Sequence, residues 1–400
     1  MMFPLLCFGQ YTSIPDQVFE QVLIDKGYDN VIDGQVLTAN ISVITELYCS
    51  GSWITSGGIA NLSGIEDFTA LTTLNCQYNQ LTSLDLSQNT ALTDLRCFAN
   101  QLTSLDVSNN TALTTLNCGV NQLTSLDVSN NTALTDLNCG ANQLTSLDVS
   151  NNTALTDLDC YANQITSLDI SQNTALTDLY CSANQLTSLD VSNNTALTYL
   201  VCQENQLTNI DVSQNTLLSD LRLMDNKITS LDVSLNPSLN RLDVDNNQFL
   251  SCLNMKNGNN SLLYTFYSID CPNLNCIQVD DSVYSYANWI NPLFKDFFLD
   301  STQYFSENCN YPLGCFNINP NSVQEIPQSI SLYPNPTNEN ITISIENFNG
   351  NIQTEVYDLL GHRLQSTNET TISLRDYARG IYLLKVAYGD RVEEVKVIKD

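Results

Sequence analysis

Residues 71–91 read LTTLNCQYNQLTSLDLSQNTA, and residues 92–112 read LTDLRCFANQLTSLDVSNNTA. The same 21-residue unit recurs from Leu71 to about Phe249. Cysteines fall at Cys76, Cys97, Cys118, Cys139, Cys160, Cys181 and Cys202, and Leu223 and Val244 take that slot in the last two units. Asparagines keep the same step, at Asn79, Asn100, Asn121, Asn142, Asn163, Asn184, Asn205, Asn226 and Asn247. Self-similarity at a fixed period predicts a solenoid, in which each unit packs only against its neighbours.

Each unit is itself double. Leu71-x-x-Leu74-x-Cys76-x-x-Asn79 is followed by Leu81-x-x-Leu84-x-Leu86-x-x-Asn89. Apolar residues two apart predict a short strand on each side of a flattened coil, with Leu, Cys and Val pointing inward. The asparagine after each strand suits a bend, where its side chain can satisfy backbone groups that the turn leaves unpaired. One coil has too few inward side chains to offset the ordering of its backbone, so coils fold only as a stack.

This pattern resembles the leucine-rich repeat, in its nested bacterial subclass with cysteine in the strand. The resemblance covers residues 47–250 and implies a mainly β, short-coil solenoid with parallel strands and a role in binding rather than catalysis. The first coil, around Leu47-Tyr48-Cys49, is longer and irregular, as terminal units tend to be. Ahead of it, 14–26 reads as an amphipathic helix with Val18, Phe19, Val22 and Leu23 on one face. It resembles the N-terminal cap of related secreted repeat proteins, and 11–46 is assigned to that cap. Asp29-x-Val31-x-Asp33-Gly34 has part of a calcium loop, but Val31 stands where that loop needs an oxygen ligand and Asn40 where it needs the bidentate Glu. Residues 251–316 lose the period and resemble an irregular C-terminal cap.

Acidic residues number 43 against 14 Lys and Arg, for a net charge of −29. Such a chain repels polyphosphate, which argues against nucleic-acid partners. His362 is the only histidine, which removes nearly every His-dependent triad and every multi-histidine metal site. No run reaches the roughly 18–20 apolar residues of a spanning helix. No catalytic, cofactor or metal-ligating constellation stands out. Residues 1–10 read as the end of a secretory signal peptide or as a frayed apolar terminus.

After an Asn/Pro/Gln-rich linker at 317–329 the composition shifts, and half of the basic residues lie beyond residue 327. Alternating runs such as Ile341–Ile345, Thr354–Tyr357 and Ile381–Val386 predict antiparallel strands of a small β-sandwich over 330–400. The series Leu332-Tyr333-Pro334-Asn335-Pro336, Val356-Tyr-Asp-Leu-Leu-Gly361 and Gly380-Ile-Tyr382 resembles the type A sorting domain of type IX secretion. It departs from that pattern at His362, where Lys or Arg commonly follows the glycine, and at Asp400. The resemblance implies handling by the type IX machinery and export to the surface, or into the medium, of a gram-negative bacterium.

The ladder cysteines lack zinc-type spacing. Strands about 4.8 Å apart would hold their sulfurs beyond the Cβ separation of about 3.8 Å that disulfides favour, so they are expected as core. Cys252, Cys271, Cys276, Cys309 and Cys315 lie in irregular chain of an exported protein, where disulfides are expected. Cys276–Cys309 is the favoured pair, and connectivity is otherwise open.

A second series, Asp85, Asp106, Asp127, Asp148, Asp169, Asp190, Asp211 and Asp232, faces outward on the nearly invariant Thr-Ser-Leu-Asp side. It is a solvated acidic edge or a row of cation sites. On the cysteine side the outward positions vary: Arg96, Phe98, Asp159, Tyr161, Tyr180, Tyr199, Val201, Gln203, Arg222 and Met224 are expected to form a ligand-binding face. Clustered Tyr with nearby Arg is interface composition, and Tyr also suits stacking on sugars. The ligand is a protein or a glycan. The alternative is a spacer protein with no specific ligand.

Overall fold

The computed structural model describes residues 10–51, 58–290, 296–311, 315, 330–345, 352–358, 361–388 and 391–400, divided between two compact units, 1–316 and 317–400. Most of the expected leader remnant and the linker fall outside these residues. In the first unit the cysteine-side strands form one parallel sheet, ordered as in the chain from Glu46–Tyr48 to Asp296–Leu299, with twelve strands among the described residues. Neighbours pair in register, Leu74 opposite Leu95 and Leu95 opposite Leu116. Each cysteine then extends the ladder, as where Cys76 N donates to Arg96 O at 2.8 Å.

The bends explain the asparagine period. The residue before each ladder asparagine has a left-handed backbone, for example Ala99 at φ 55° and Val120 at φ 51°. The asparagine side chain then ties two coils together. Asn100 Nδ2 donates to Cys97 O and to Cys76 O of the preceding coil, both at 3.0 Å, and its Oδ1 accepts from Leu81 N at 3.0 Å. A second asparagine row, at the opposite bend, is buried. Asn131 Nδ2 donates to Val107 O at 3.0 Å and Asn110 O at 2.9 Å.

The Thr-Ser-Leu-Asp side departs from expectation. In the regular coils it is extended but unpaired, and a second parallel sheet begins only at Ser230–Asp232, continuing through Cys252–Asn254, Cys276–Gln278 and Tyr304–Ser306. In the regular coils the buried asparagines bridge neighbouring backbones on this side, so side chains stand where direct ladder bonds would otherwise form. The stretch after residue 250 is also more regular than its sequence. Thr265–Ser268 and Asp296–Leu299 extend the first sheet, and Trp289 packs edge-on to Phe305, ring centroids 5.2 Å apart.

Cys76 through Cys202 are buried free thiols. Burial pushes the Cys118 thiol up to about 12, so the uncharged form persists. Cys276 is bridged to Cys309 and Cys252 to Cys315. Cys271, expected among the bridged cysteines, is free: it points into the core and donates to Val244 O at 3.2 Å.

The N-terminal cap holds the open end of the core. Its helix runs Gln17–Asp25 and buries Phe19 and Leu23, whereas Val18 is 42% exposed and leaves the expected apolar face. Asp16 caps it through Oδ1, which accepts from Val18 N and Phe19 N, while Oδ2 accepts from Ala60 N at 2.8 Å and so fastens the cap to the first coil. Buried Glu20 Oε1 accepts from the backbone N–H groups of Asp33, Gly34 and Gln35. The loop resembling part of a calcium site thus turns donors inward, which suits a carboxylate rather than a cation.

The described residues of the second unit form two antiparallel sheets. Ile330–Tyr333, Asn340–Ile345 and Thr371–Ser373 form one; Arg363–Thr367, Ile352–Tyr357, Gly380–Tyr388 and Arg391–Lys399 form the other, in those orders. Ile341, Ile343 and Ile372 share a core with Val356, Leu384, Val386 and Val397.

Candidate binding face

On each short strand the central Leu enters the core and its two neighbours stand on the outer face of the sheet. Register then fixes which outward residues meet. Asp159 lies opposite Tyr180, Tyr180 opposite Val201, and Val201 opposite Arg222; Asp178, Tyr199 and Asp220 line up beside them. Arg96 and Tyr199 are exposed, while Phe98, Asp159, Tyr161, Tyr180, Gln203, Arg222 and Met224 are half-buried. Val201 is only 6% exposed, lying between the longer in-register side chains of Tyr180 and Arg222, and offers little to a ligand.

Two glycines shape the row after the cysteines. A Cβ on Gly140 would stand 2.2 Å from Tyr161 Cδ1, and one on Gly119 3.1 Å from Phe98 Cδ2. The rings therefore lie against neighbouring coils instead of projecting freely. Phe98 also meets Tyr78 edge-on, centroids 5.6 Å apart.

The face is charged unevenly. Arg96 pairs with Asp94 at 3.0 Å, and Arg222 holds the mostly buried Asp220 through Nε and Nη2 at 2.9 and 2.7 Å. Between Arg96 and Arg222 the sequence has no Lys, Arg or His. Asp136, Asp157, Asp159 and Asp178 occupy that interval. Burial, and then the charge of Asp157, raises the Asp136 carboxyl. Burial pushes the Asp159 carboxyl up to about 6, against the hydrogen bond from Tyr161 N at 3.2 Å; Asn138 Nδ2 also donates to this carboxyl, at 2.9 Å.

The strip continues where the period fails, which sequence reading missed. The Arg241 guanidinium carbon lies 5.7 Å from the Tyr267 ring centroid, and Tyr267 meets Phe298 at 5.4 Å. Arg241 lies immediately before the regular strand Leu242, so its outward place was readable. Tyr267 and Phe298 follow no repeat, and only backbone pairing reveals them.

On the opposite side the second aspartate series is locally satisfied. Ser87 N donates to Asp85 Oδ1 at 3.0 Å, and equivalent serines repeat the contact along the row. Hydrogen bonds from Ser87 hold Asp85 below the usual carboxylate range. Among the described residues, no group of three or more carboxylate, His or Cys side chains is placed to hold a metal.

In the second unit, Tyr333, Pro334, Asn335 and Pro336 are exposed. Gly361 makes a turn at φ 86°, donating to Asp358 O at 3.1 Å. Gly380 lies opposite Lys399, and the buried Tyr382 donates its hydroxyl to Ala378 O at 2.6 Å.

Residues 331–400 match the family model of the secretion system C-terminal sorting domain. A 49-residue stretch is 47% identical to internalin J of Listeria monocytogenes serotype 4b (strain F2365), covering 12% of this chain and 5% of that protein. Among solved structures, the functional domain of InlJ from Listeria monocytogenes, described as including a cysteine ladder, aligns at TM-score 0.57 and 28% identity, over 98% of this chain and 99% of that one. A leucine-rich repeat protein of Leptospira interrogans aligns at TM-score 0.44 and 24% identity, over 54% of this chain and 56% of that one. Among the described residues no helix is long and apolar enough to cross a membrane. The coil period and the buried thiol ladder give residues 47–250 a leucine-rich repeat solenoid like that of the InlJ functional domain, and the sorting domain at 331–400 addresses the chain to the outer cell surface or the medium.

Proposed function

We propose that the solenoid binds a macromolecule through its cysteine-side sheet, and that the chain acts outside the cell in adhesion-type recognition rather than catalysis. The observation that carries this reading is the contrast between the two sides of the coil. The Thr-Ser-Leu-Asp side repeats almost verbatim and hydrogen-bonds its own aspartates, so it offers one monotonous surface. The strand side varies from coil to coil and gathers Tyr180 and Tyr199 near Arg222, while Tyr161 lies over Gly140 of the coil before its own. Rigid aromatics next to an arginine are the composition of binding hot spots. A spacer would need no such difference between its sides.

The carboxylates between Arg96 and Arg222 favour a protein segment bearing basic side chains over a neutral glycan, so binding should weaken as salt rises. The ligand is to be recovered on immobilised full-length protein, and two double variants then compared. Tyr180→Ala with Tyr199→Ala should lower affinity at least about thirtyfold, roughly 2 kcal/mol, with folding unchanged. If Asp148→Ala with Asp169→Ala weakens binding more, the ligand sits on the other side.

A further inference from the structure

The sorting motif turns toward one strand. Asn335 is exposed, yet its amide bonds the edge of strand Arg391–Lys399 as a neighbouring backbone would. Its Oδ1 accepts from Ile398 N at 2.9 Å, and its Nδ2 donates to Lys396 O at 2.9 Å. Thr337 continues the contact: its N donates to Ile398 O at 2.8 Å, and its carbonyl accepts from Asp400 N at 3.0 Å. That strand lies at the border of its sheet, with Gly380–Tyr388 on its other side, so these bonds occupy an otherwise open edge.

Lys399 holds the same strand from within. Its side chain is buried, and its Nζ donates to the carbonyl oxygens of Leu374, Arg375 and Tyr377. An ammonium has three donors and loses its water on burial, so it is retained only where acceptors replace that water. A side chain needed merely to fill space there would be apolar. Those carbonyls belong to the segment leading into Gly380, which pairs with Lys399 itself. The segments around Asn335 and Gly380, far apart in sequence, therefore meet on the last residues of one strand.

We propose that Asn335, Thr337 and Lys399 are positioning residues of the sorting signal: they clamp strand 391–399 at its edge and from within, and the secretion machinery reads the strand in its clamped form. The motif on this view presents the recognised surface and is not itself the surface. This goes beyond the sorting assignment, which states where the chain is sent but not which contacts make the signal legible.

The test pairs hydrogen exchange on the full-length chain with its distribution between periplasm and exterior in a host that has type IX secretion. Asn335→Ala is the deciding variant, because its side chain is exposed and outside the core. It should speed exchange of the Ile398 and Asp400 amides at least tenfold, leave Ile381–Val386 protected, and shift the protein to the periplasm. Asn335→Asp, which keeps the acceptor for Ile398 N and loses the donor to Lys396 O, should fall between. Lys399→Met should act like Asn335→Ala; if it unfolds the whole unit, the asparagine variants alone decide. Loss of export with protection at 398–400 unchanged would mean that the motif touches the machinery directly, and would overturn the proposal. Fast exchange with normal export would overturn it too, as would an Asn335→Ala chain unchanged in both.

Discussion

Asp159 shows at the scale of one residue what the strand face costs in stability. Its carboxyl is pushed up to about 6 by burial, above the value of about 3.9 expected in the unfolded chain. Between these values the folded form keeps a proton that the unfolded form has released, so this group's contribution to stability falls as pH rises from about 4 to 6. Asp159→Asn should remove that slope and raise the melting temperature relative to wild type at pH 7, with the difference vanishing near pH 4. Thermal unfolding of both proteins across this range checks it; an equal difference at all pH values would contradict the assignment. A negative charge is thus kept in a partly buried place where it costs stability, which is understandable if a ligand cation meets it. The outward position of Asp159 was legible from its place beside Leu158. Its burial was not, because that depends on Tyr161, Tyr180 and Asn138 of three different coils. The same limit explains Val201: alternation assigned it to the outer face correctly, but neighbours cover it.

At the scale of the element, the coil is held together by asparagine as much as by leucine. Asn131 is fully buried and bonds two carbonyls of the preceding coil, those of Val107 and Asn110. Asn131→Ala would take from each of these carbonyls one of its two donors, leaving Asn110 N on Val107 O and Leu113 N on Asn110 O, and would break the tie between coils, costing about 1–3 kcal/mol. Chemical denaturation should show this as a lower midpoint, and a neutral result would mean that water reaches the bend. The asparagine period and its bend role were readable from the sequence. The pairing pattern on the far side was not. Alternating Leu84 and Leu86 predict a strand, yet side-chain bridges there take the place of a ladder, and direct pairing appears only from Ser230 onward. Hydrophobic alternation reports which face is buried, not whether neighbouring backbones bond. For the same reason the coils after residue 250 look irregular in sequence: Phe266 and Phe297 fill the places of leucines, and the ladder runs on through them. Cys271 misled similarly, since its sequence setting resembles that of Cys276 while its side chain faces the core.

At the scale of the whole molecule, the two units divide the labour. Residues 1–316 and 317–400 are separately compact and have their own cores. Deleting 330–400 should leave the melting of the solenoid unchanged and strand the protein in the periplasm of a type IX-secreting host. Surface delivery of the truncated chain would show that the address lies elsewhere. The central claim concerns the other unit: that recognition belongs to the variable strand side of the coil. Hydrogen exchange of the full-length chain with and without saturating ligand tests this most directly. Slower exchange should concentrate at residues 157–161, 178–182 and 199–203, with 148–150 and 169–171 unaffected. Protection confined to the Thr-Ser-Leu-Asp side instead would contradict it.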